Sequence, residues 1–426
     1  MLPRFLMRTL LLAQDWARVH GMSRYIAYAA LIQAYLVQPS QRVAALARVL
    51  VTTHPNRMRR SFVAAAVAAA RPRLEFDNRV DLVRSIVLKP AVSSRERGVL
   101  LVSFESELDK LARLTAFPEL ERDYEIVFLP TWQPFYSNAL FHFAARARRP
   151  YCIMPSTPAD RPLCSDLGSL CRSLPFQASS WVSRARSPQT RATKSIDFLM
   201  LANFSAYKRH WRLFEAMVDI PGDRRVVVAG RSLGRRTLGT LRREAAAFGV
   251  EGRVEFVENP SDEQVAQLLA SAKVFCALSH KEGSYIAVAE ALMSDTPVAM
   301  YSNALIGSKE YIGPETGALL DCRKRLAPQL LEFVERAETL RPAEWARAHI
   351  CAELNCEKLN VLMRGANLTS GMEWTVDLSA FCCRHFEFEY AAPDAERRLT
   401  PEYAGLATRY GVTVRRPRAT LADDAG

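Results

Sequence analysis

From residue 98 onward, short apolar runs alternate with segments of helical periodicity. The runs are continuous rather than alternating, which is typical of strands buried on both faces of a parallel sheet. The pattern forms two series, and the first indicates an α/β unit with helices on both faces of its sheet. Its predicted strands are residues 98–103, 125–130 and 151–155, and its predicted helices are residues 105–114 and 140–147.

The second series is longer and has the alternation of a complete doubly wound unit, in which ligands bind outside the carboxyl ends of the strands. Polar residues 183–194, which lack apolar periodicity, are the predicted linker between the two series. The predicted strands of the second series are residues 196–201, 225–230, 254–257, 273–278 and 297–300, and its predicted helices are residues 211–218, 238–248 and 262–270.

Residues 1–86 differ from the rest in pattern and charge. They read as helical and rich in Arg and Ala, with an apolar stripe at helical spacing. The formal net charge is +12, and residues 1–97 carry sixteen Lys and Arg against five Asp and Glu, so +11 of it falls there. Two interpretations stay open: a helical cap packed on the next domain, and an interfacial segment that binds an anionic membrane surface.

The candidate chemistry is concentrated after the predicted strand at 273–278. Glu282 precedes Gly283 and Ser284 in a turn, an apolar helix follows, and Glu290 lies eight positions after Glu282. The turn frees backbone N–H groups that favour an anionic ligand, and the carboxylates, as acceptors only, suit the hydroxyls of a sugar or ribose. We expect Glu282 in the loop before the helix and Glu290 two turns into it. Two solvated acids are the competing interpretation.

Two further loops follow strands of the same predicted sheet. Residues 202–209 end in Lys208 and Arg209, which could clamp a diphosphate, the lysine as a point charge and the arginine as a fork. Arg231 follows the strand that ends at Gly230. Taken alone, Lys208 and Arg209 also fit a solvated basic pair. Because the ends of parallel strands share one edge of the sheet, the three loops together predict one site.

With these loops in this order, residues 196–321 resemble the donor-binding domain of retaining glycosyltransferases of family 4. The resemblance rests on Lys208 after the first strand, on the strand ending at Gly230, and on the two glutamates separated by seven residues. The sequence departs from the family pattern at residues 202 and 203, where the family has Gly-Arg. It departs again at Tyr285, where the family has a second glycine.

The resemblance implies the GT-B fold, with two Rossmann-like domains facing a cleft. The predicted segments are a basic helical segment at 1–86, a Rossmann-like acceptor domain at 87–186, a Rossmann-like donor-binding domain at 187–325, and C-terminal helices with a tail at 326–426. It also implies that Lys208 and Glu282 are catalytic. The implied donor-binding residues are Arg209, Arg231, Gly283, Ser284, Tyr285, Ile286 and Glu290, the last of them on the ribose hydroxyls. No metal and no cofactor is expected.

The expected function is a retaining, metal-independent, hexosyltransferase-like glycosyltransferase. It would move a sugar from a nucleotide sugar to a glycan or lipid-linked glycan acceptor in cell-surface polysaccharide or lipopolysaccharide biosynthesis. A non-catalytic GT-B-like binding or scaffold protein and a sugar-nucleotide epimerase are the alternatives. Nucleic acid is not an expected partner, because the basic segment lacks interleaved aromatic residues.

The expected location is the cytoplasm, with peripheral attachment at the inner face of the cell membrane left open by the basic segment. No apolar run reaches the ~20 residues of a membrane-spanning helix, and no signal peptide is recognisable. The nine cysteines follow neither a disulfide framework nor metal-site spacing, which is typical of reduced thiols.

Overall fold

The computed structural model describes residues 76–131, 138–186, 193–384 and 387–415. They form two compact units. Residues 76–181 and 352–415 make up the first unit, and residues 182–351 the second. Most of the predicted basic segment, residues 1–75, and part of the predicted linker, residues 187–192, lie outside the described residues.

A five-stranded sheet forms the centre of the first unit, in the order β2-β3-β4-β5-β6. Strand β2 is antiparallel to β3, and the other neighbours are parallel. Its strands are β2 (Ser85–Lys89), β3 (Gly98–Ser103), β4 (Tyr124–Leu129), β5 (Tyr151–Ile153) and β6 (Cys171–Ser173). Its helices up to residue 181 are α1 (Glu105–Arg113), α2 (Phe117–Asp123), α3 (Asn138–Arg146) and α4 (Arg161–Cys164).

The second unit contains a six-stranded parallel sheet in the order β9-β8-β7-β10-β11-β12. Its strands are β7 (Ile196–Leu201), β8 (Val226–Gly230), β9 (Val254–Glu258), β10 (Ala272–Ala277), β11 (Val298–Tyr301) and β12 (Gly317–Leu320). Its helices are α5 (His210–Met217), α6 (Leu238–Phe248), α7 (Asp262–Ser271), α8 (Ile286–Met293), α9 (Leu326–Ala337) and α10 (Pro342–His349).

If the six strands are numbered from one to six in chain order, their order across the sheet is 3-2-1-4-5-6. This is the strand order of the dinucleotide-binding Rossmann fold. The order reverses between β7 and β10, which pair directly with each other. The predicted doubly wound unit is therefore confirmed.

After residue 351 the chain returns to the first unit, which differs from the predicted division. Residues 326–351 belong to the second unit, and only residues 352–415 of the predicted C-terminal segment join the first. The elements of this return are α11 (Ala352–Thr369), the antiparallel pair β13 (Phe381–Arg384) and β14 (Glu387–Tyr390), α12 (Pro393–Tyr410) and β15 (Val412–Val414).

Strand β15 pairs in parallel with β1 (Val80–Leu82), a strand inside the segment predicted to be helical. The predicted boundary between residues 86 and 87 likewise falls inside β2. Both predictions were wrong for residues 80–86, because the apolar stripe at helical spacing lies earlier in the segment and these strands form through partners outside it. The partner of β1 lies more than 300 residues away, so no local pattern reveals the pairing.

A buried ion pair joins the return segment to the first sheet. The Nζ atom of Lys89 lies 2.8 Å from Oε1 of Glu96, and both side chains are buried. Glu96 also accepts hydrogen bonds from the backbone N–H groups of Thr375 at 2.6 Å and Val376 at 3.0 Å, and from the Thr375 hydroxyl at 2.7 Å. Burial acts to raise the pKa of Glu96, but the hydrogen bonds from Lys89 and Thr375 outweigh it and lower this pKa to about 2.

All nine cysteines are free thiols in the structure. None of the helices within the described ranges is both long and apolar enough to cross a bilayer.

Candidate functional site

Strand order identifies one edge of the second sheet as the place for a ligand. In open α/β sheets, the loops after the two strands at the reversal diverge and leave a crevice outside the carboxyl ends. Here those loops are residues 202–209, called the β7 loop, and residues 278–285, called the β10 loop. The described strands of the first sheet follow one another in chain order without a reversal.

The β7 loop starts where the backbone of Ala202 lies against the end of β8. The backbone N–H of Ala202 donates a hydrogen bond to the carbonyl of Ala229 at 2.9 Å. A Cβ atom on Gly230 would lie 1.8 Å from the carbonyl oxygen of Ala202, which no side chain allows. The glycine at this strand end is thus required by the path of the β7 loop.

Replacing Gly230 by alanine is expected to displace the β7 loop and to lower the free energy of unfolding by about 1–3 kcal/mol, the usual cost of overpacking. Gly222 is the matched control, because a Cβ atom there meets nothing within 4 Å. Urea unfolding of Gly230→Ala and Gly222→Ala measures the difference. Equal stability of the two variants would contradict the close approach at Ala202.

Arg236 holds the middle of the β7 loop. Its Nε donates to the carbonyl of Phe204 at 2.6 Å, and its Nη1 and Nη2 bind the two carboxylate oxygens of Glu244 at 2.6 Å and 3.0 Å. This arrangement is bidentate, the strong geometry for an arginine and a carboxylate. Neither residue was predicted, since each lies outside the three strand-end loops of the sequence pattern.

The β10 loop is held by its neighbour along the sheet edge, residues 305–308. Helix α8 then begins at Ile286, with Tyr285 as its N-cap residue. Glu290 is the fifth residue of α8, so it lies one turn into the helix rather than the two turns predicted. Four backbone hydrogen bonds hold the loop: Leu305 N to His280 O (2.7 Å), Glu282 N to Leu305 O (3.1 Å), Gly307 N to Gly283 O (2.8 Å) and Ser308 N to Ser284 O (3.2 Å).

Side chains of the two loops meet across the reversal point. The Nζ atom of Lys208 donates a hydrogen bond to Oε2 of Glu282, and both residues are 5% exposed. The same ammonium lies 3.7 Å from the centroid of the Tyr285 ring. The Tyr285 hydroxyl donates to the carbonyl of Leu201, the last residue of β7, at 3.3 Å. A buried cation, a buried anion and a tyrosine thus join the β7 and β10 loops.

Several buried polar atoms of these loops and their neighbours have no hydrogen-bond partner in the described part of the chain. Leaving such atoms unpaired is costly, and in native structures it calls for a water, an ion or a ligand. The unpaired atoms are Oε1 of Glu282, Oγ of Ser279, Oγ of Ser308, and both ring nitrogens of His210. The Glu282 oxygen belongs to the same carboxylate whose Oε2 is paired with Lys208.

Burial sets the charge states around the site. It lowers the pKa of the Lys208 ammonium, and the charge and hydrogen bond of Glu282 oppose that change. Burial, together with the positive charges of Arg236 and Lys208, lowers the pKa of His210 to about 3, so this imidazole is neutral at pH 7. Burial and the nearby Glu282 carboxylate raise the pKa of Tyr285 well above its ordinary value, so its hydroxyl stays protonated.

The two arginines predicted to bind the donor, Arg209 and Arg231, differ from each other in burial. Arg209 is buried, and its Nη1 donates to the carbonyl of Leu278, the first residue of the β10 loop, at 3.5 Å. Its guanidinium carbon lies 5.6 Å from the centroid of the Tyr301 ring. Arg231 is exposed. The structure therefore brings Arg209 to the carboxyl edge and leaves Arg231 at the surface, where donor binding by it stays a prediction.

The remaining predicted donor-binding residues lie in the β10 loop and α8. Gly283, Ser284 and Glu290 are buried, and Ile286 is half-buried. Both predicted glutamates are thus inside the protein rather than solvated acids of a surface helix. Within the described ranges, no group of three His, Cys, Asp or Glu side chains is placed to hold a metal ion.

Residues 183–345 match the family model described as "Glycosyl transferases group 1". The match covers less than half of the chain and falls within the second unit, which contains the β7 and β10 loops. No curated protein sequence matches the chain.

Solved structures resemble the chain at low sequence identity. Sucrose-phosphate synthase from Thermosynechococcus elongatus is 16% identical, with 64% of this chain and 74% of that chain covered and a TM-score of 0.51. HepE from Anabaena in complex with UDP is 15% identical, with 73% and 82% covered and a TM-score of 0.47. A glycosyltransferase from Rickettsia africae ESF-5 is 12% identical, with 62% and 82% covered and a TM-score of 0.46.

At 16% identity the likeness to the sucrose-phosphate synthase is one of fold. The two α/β units, one of them with the strand order of a Rossmann fold, are the architecture of GT-B proteins. The predicted α/β fold class with two Rossmann-like domains is confirmed, whereas the predicted N-terminal helical segment falls mostly outside the described residues.

Proposed function

We propose that the chain is a glycosyltransferase that transfers a sugar from a nucleotide sugar to a glycan or lipid-linked glycan acceptor. The observation that carries the proposal is the contact of Lys208 with Glu282 at the reversal point of the second sheet. Both residues lie in the segment that matches the group 1 glycosyl transferase model. The Lys208 ammonium can bind the negatively charged donor diphosphate. The Glu282 carboxylate can accept hydrogen bonds from sugar hydroxyls through Oε1, which has no partner among the described residues.

In the proposed reaction, the bond between the anomeric carbon and the diphosphate oxygen breaks, and its electron pair leaves with the nucleoside diphosphate. The acceptor hydroxyl forms the new bond to the anomeric carbon, and its proton passes to the departing phosphate. Negative charge grows on the leaving oxygen, so the fixed positive charge of Lys208 stabilises the transition state more than the ground state. This supports a metal-independent reaction.

The carboxylates have separate proposed tasks. Oε2 of Glu282 orients the Lys208 ammonium, whereas Oε1, which has no hydrogen-bond partner among the described residues, can accept a hydrogen bond from a hydroxyl of the donor sugar. Glu290, one turn into α8, is proposed to bind the ribose hydroxyls. Gly283 and Ser284, in the loop before α8, are proposed to contact the sugar and phosphates.

The reaction type, the membrane attachment and the biosynthetic role are proposed from the resemblance and from the charge of the chain. The resemblance to family 4 supports a retaining, hexosyltransferase-like reaction. The excess of positive charge in residues 1–97 supports attachment to an anionic membrane surface. Together they favour a cytoplasmic enzyme of cell-surface polysaccharide or lipopolysaccharide biosynthesis at the inner face of the membrane.

A thermal-shift panel of UDP, GDP and ADP sugars tests the function, because a ligand that binds only the native state stabilises it by about 2.7 kcal/mol at one hundred times its Kd. We expect the sugars of one nucleotide to raise the Tm of the wild type. Glu290→Ala should weaken the shift, whereas Glu332→Ala, exposed on α9 of the same unit, should not.

No shift with any of these nucleotide sugars would contradict donor binding. A shift without any release of nucleoside diphosphate in the presence of candidate acceptors would favour the non-catalytic alternative.

A further inference from the structure

We propose that Tyr285 is a positioning residue that holds the Lys208 ammonium in place for the donor diphosphate. The proposal rests on the proposed function and adds to it a task for the tyrosine of the β10 loop. It is carried by the backbone of Tyr285, by the contacts of its ring and by the surroundings of Lys208.

The backbone of Tyr285 is in the left-handed region, with φ 54° and ψ 74°. Glycine adopts this conformation freely, whereas a bulky residue is strained in it. Such strain persists only where the surrounding structure fixes the residue, and it is concentrated at functional sites. The chain nevertheless has a tyrosine here, which points to a contribution of the side chain that glycine cannot make.

The Tyr285 ring is fixed on three sides. Its hydroxyl donates to the carbonyl of Leu201 at 3.3 Å, and its ring packs edge-to-face on Phe275 with 6.1 Å between the centroids. The residue is 8% exposed. The Lys208 Nζ atom lies over the ring, 3.7 Å from the centroid. At this distance the negative face of the aromatic ring attracts the cation.

The two nearest contacts of the Lys208 ammonium, with Glu282 and with the Tyr285 ring, use only one of its N–H donors within the described part of the chain. The ammonium has three N–H donors. Glu282 accepts one hydrogen bond, and the Tyr285 ring contributes an attraction that needs no acceptor oxygen. A carboxylate in the place of the ring would neutralise the cation further and compete with a phosphate. An aromatic ring orients it without adding negative charge.

The ring also affects the charge of Lys208. Burial lowers the pKa of this ammonium, and both Glu282 and the face of the ring favour its protonated form. Within the described ranges, four titratable groups face Lys208. They are Glu282 and Tyr285 from the β10 loop, Tyr207 from the β7 loop with its ring centroid 5.4 Å from Nζ, and neutral His210 from α5.

NMR of protein labelled with [ε-¹³C]lysine tests the contact without any ligand. The chain has nine lysines, and Lys208→Arg identifies the Lys208 signal by its loss. We expect the Lys208 methylene signal of the wild type to be displaced by the ring current of Tyr285. Tyr285→Phe should retain that displacement. Tyr285→Leu should remove most of it, leaving the smaller contribution of the Tyr207 ring at 5.4 Å, and lower the titration midpoint of Lys208 by about half a pH unit or more.

Tyr285→Gly is the second variant without a ring. Glycine adopts the left-handed backbone of position 285 without strain, so this variant removes the ring and leaves the backbone conformation unstrained. We expect it to move the Lys208 signal and midpoint in the same direction as Tyr285→Leu. A midpoint unchanged in both variants, or lowered as much in Tyr285→Phe as in Tyr285→Leu, would overturn the proposal, because a merely structural role does not depend on the ring face.

Titration with inorganic pyrophosphate tests whether the contact between the Tyr285 ring and Lys208 strengthens the binding of a diphosphate. We expect pyrophosphate to bind about tenfold more weakly to Tyr285→Leu and Tyr285→Gly than to the wild type and Tyr285→Phe, a loss within the range of one cation–π contact. Equal affinity in all four proteins would overturn the positioning role. Failure of the wild type to bind pyrophosphate or any nucleotide, with the ring dependence of Lys208 intact, would instead overturn the proposed function.

Discussion

Replacing Lys208 by methionine is expected to lower kcat/KM for the nucleotide sugar by about 100- to 1,000-fold, the usual effect of removing one group that stabilises charge in a transition state. The same change should lower the free energy of unfolding by about 3–5 kcal/mol, because it leaves a buried carboxylate without its partner. Glu282 is only 5% exposed, so little solvent is available to compensate for the lost ammonium. Initial rates and urea unfolding measure the two effects.

The double variant Lys208→Met with Glu282→Leu separates these effects. Replacing a buried ion pair by apolar residues of similar size is often neutral for stability or favourable. We therefore expect the double variant to regain the stability of the wild type while remaining inactive. If it regained activity with its stability, Lys208 would have a structural role alone.

Replacing Glu96 by alanine is expected to lower the free energy of unfolding by about 3–5 kcal/mol, because fully buried Lys89 loses its counter-ion. Glu373 is the matched control, since it pairs with Arg95 in the same region but both side chains are exposed, 46% and 68%. Its replacement by alanine should cost about 1 kcal/mol or less.

Glu96 should also govern part of the acid sensitivity of the fold. Its pKa falls from 4.5 to about 2 on folding. The stabilisation by this depressed pKa is fully present above pH 4.5 and is lost as the pH falls from there to 2. Urea unfolding of the wild type and Glu96→Ala between pH 6 and pH 3 should show a steeper acid loss in the wild type. Parallel curves would contradict the pKa shift.

Much of the sheet architecture could be predicted from sequence. The predicted strands at 98–103 and 196–201 and the predicted helix at 238–248 agree with β3, β7 and α6, because a continuous apolar run or a long amphipathic period determines such elements locally. The return of residues 352–415 to the first unit could not be predicted. It depends on contacts such as the pairing of Val80 with Val412, which lie far apart in the chain.

The candidate site was predictable in part for the same reason. Strand ends place Lys208 and Glu282 at one edge of the sheet, and the structure shows them in contact. The spacing of residues along the chain does not reveal side-chain packing. It therefore could not predict that Lys208 pairs with Glu282, that Arg209 donates to Leu278, or that Arg236 fixes the β7 loop.

Calorimetric titration of wild type and of Lys208→Met with Glu282→Leu tests the assignment of the site most directly. The ligand is the nucleoside diphosphate whose sugars stabilise the wild type in the thermal-shift panel. We expect the wild type to bind it and the equally stable double variant to show no measurable binding. Equal affinity in the two proteins would contradict a nucleotide-sugar site at Lys208 and Glu282.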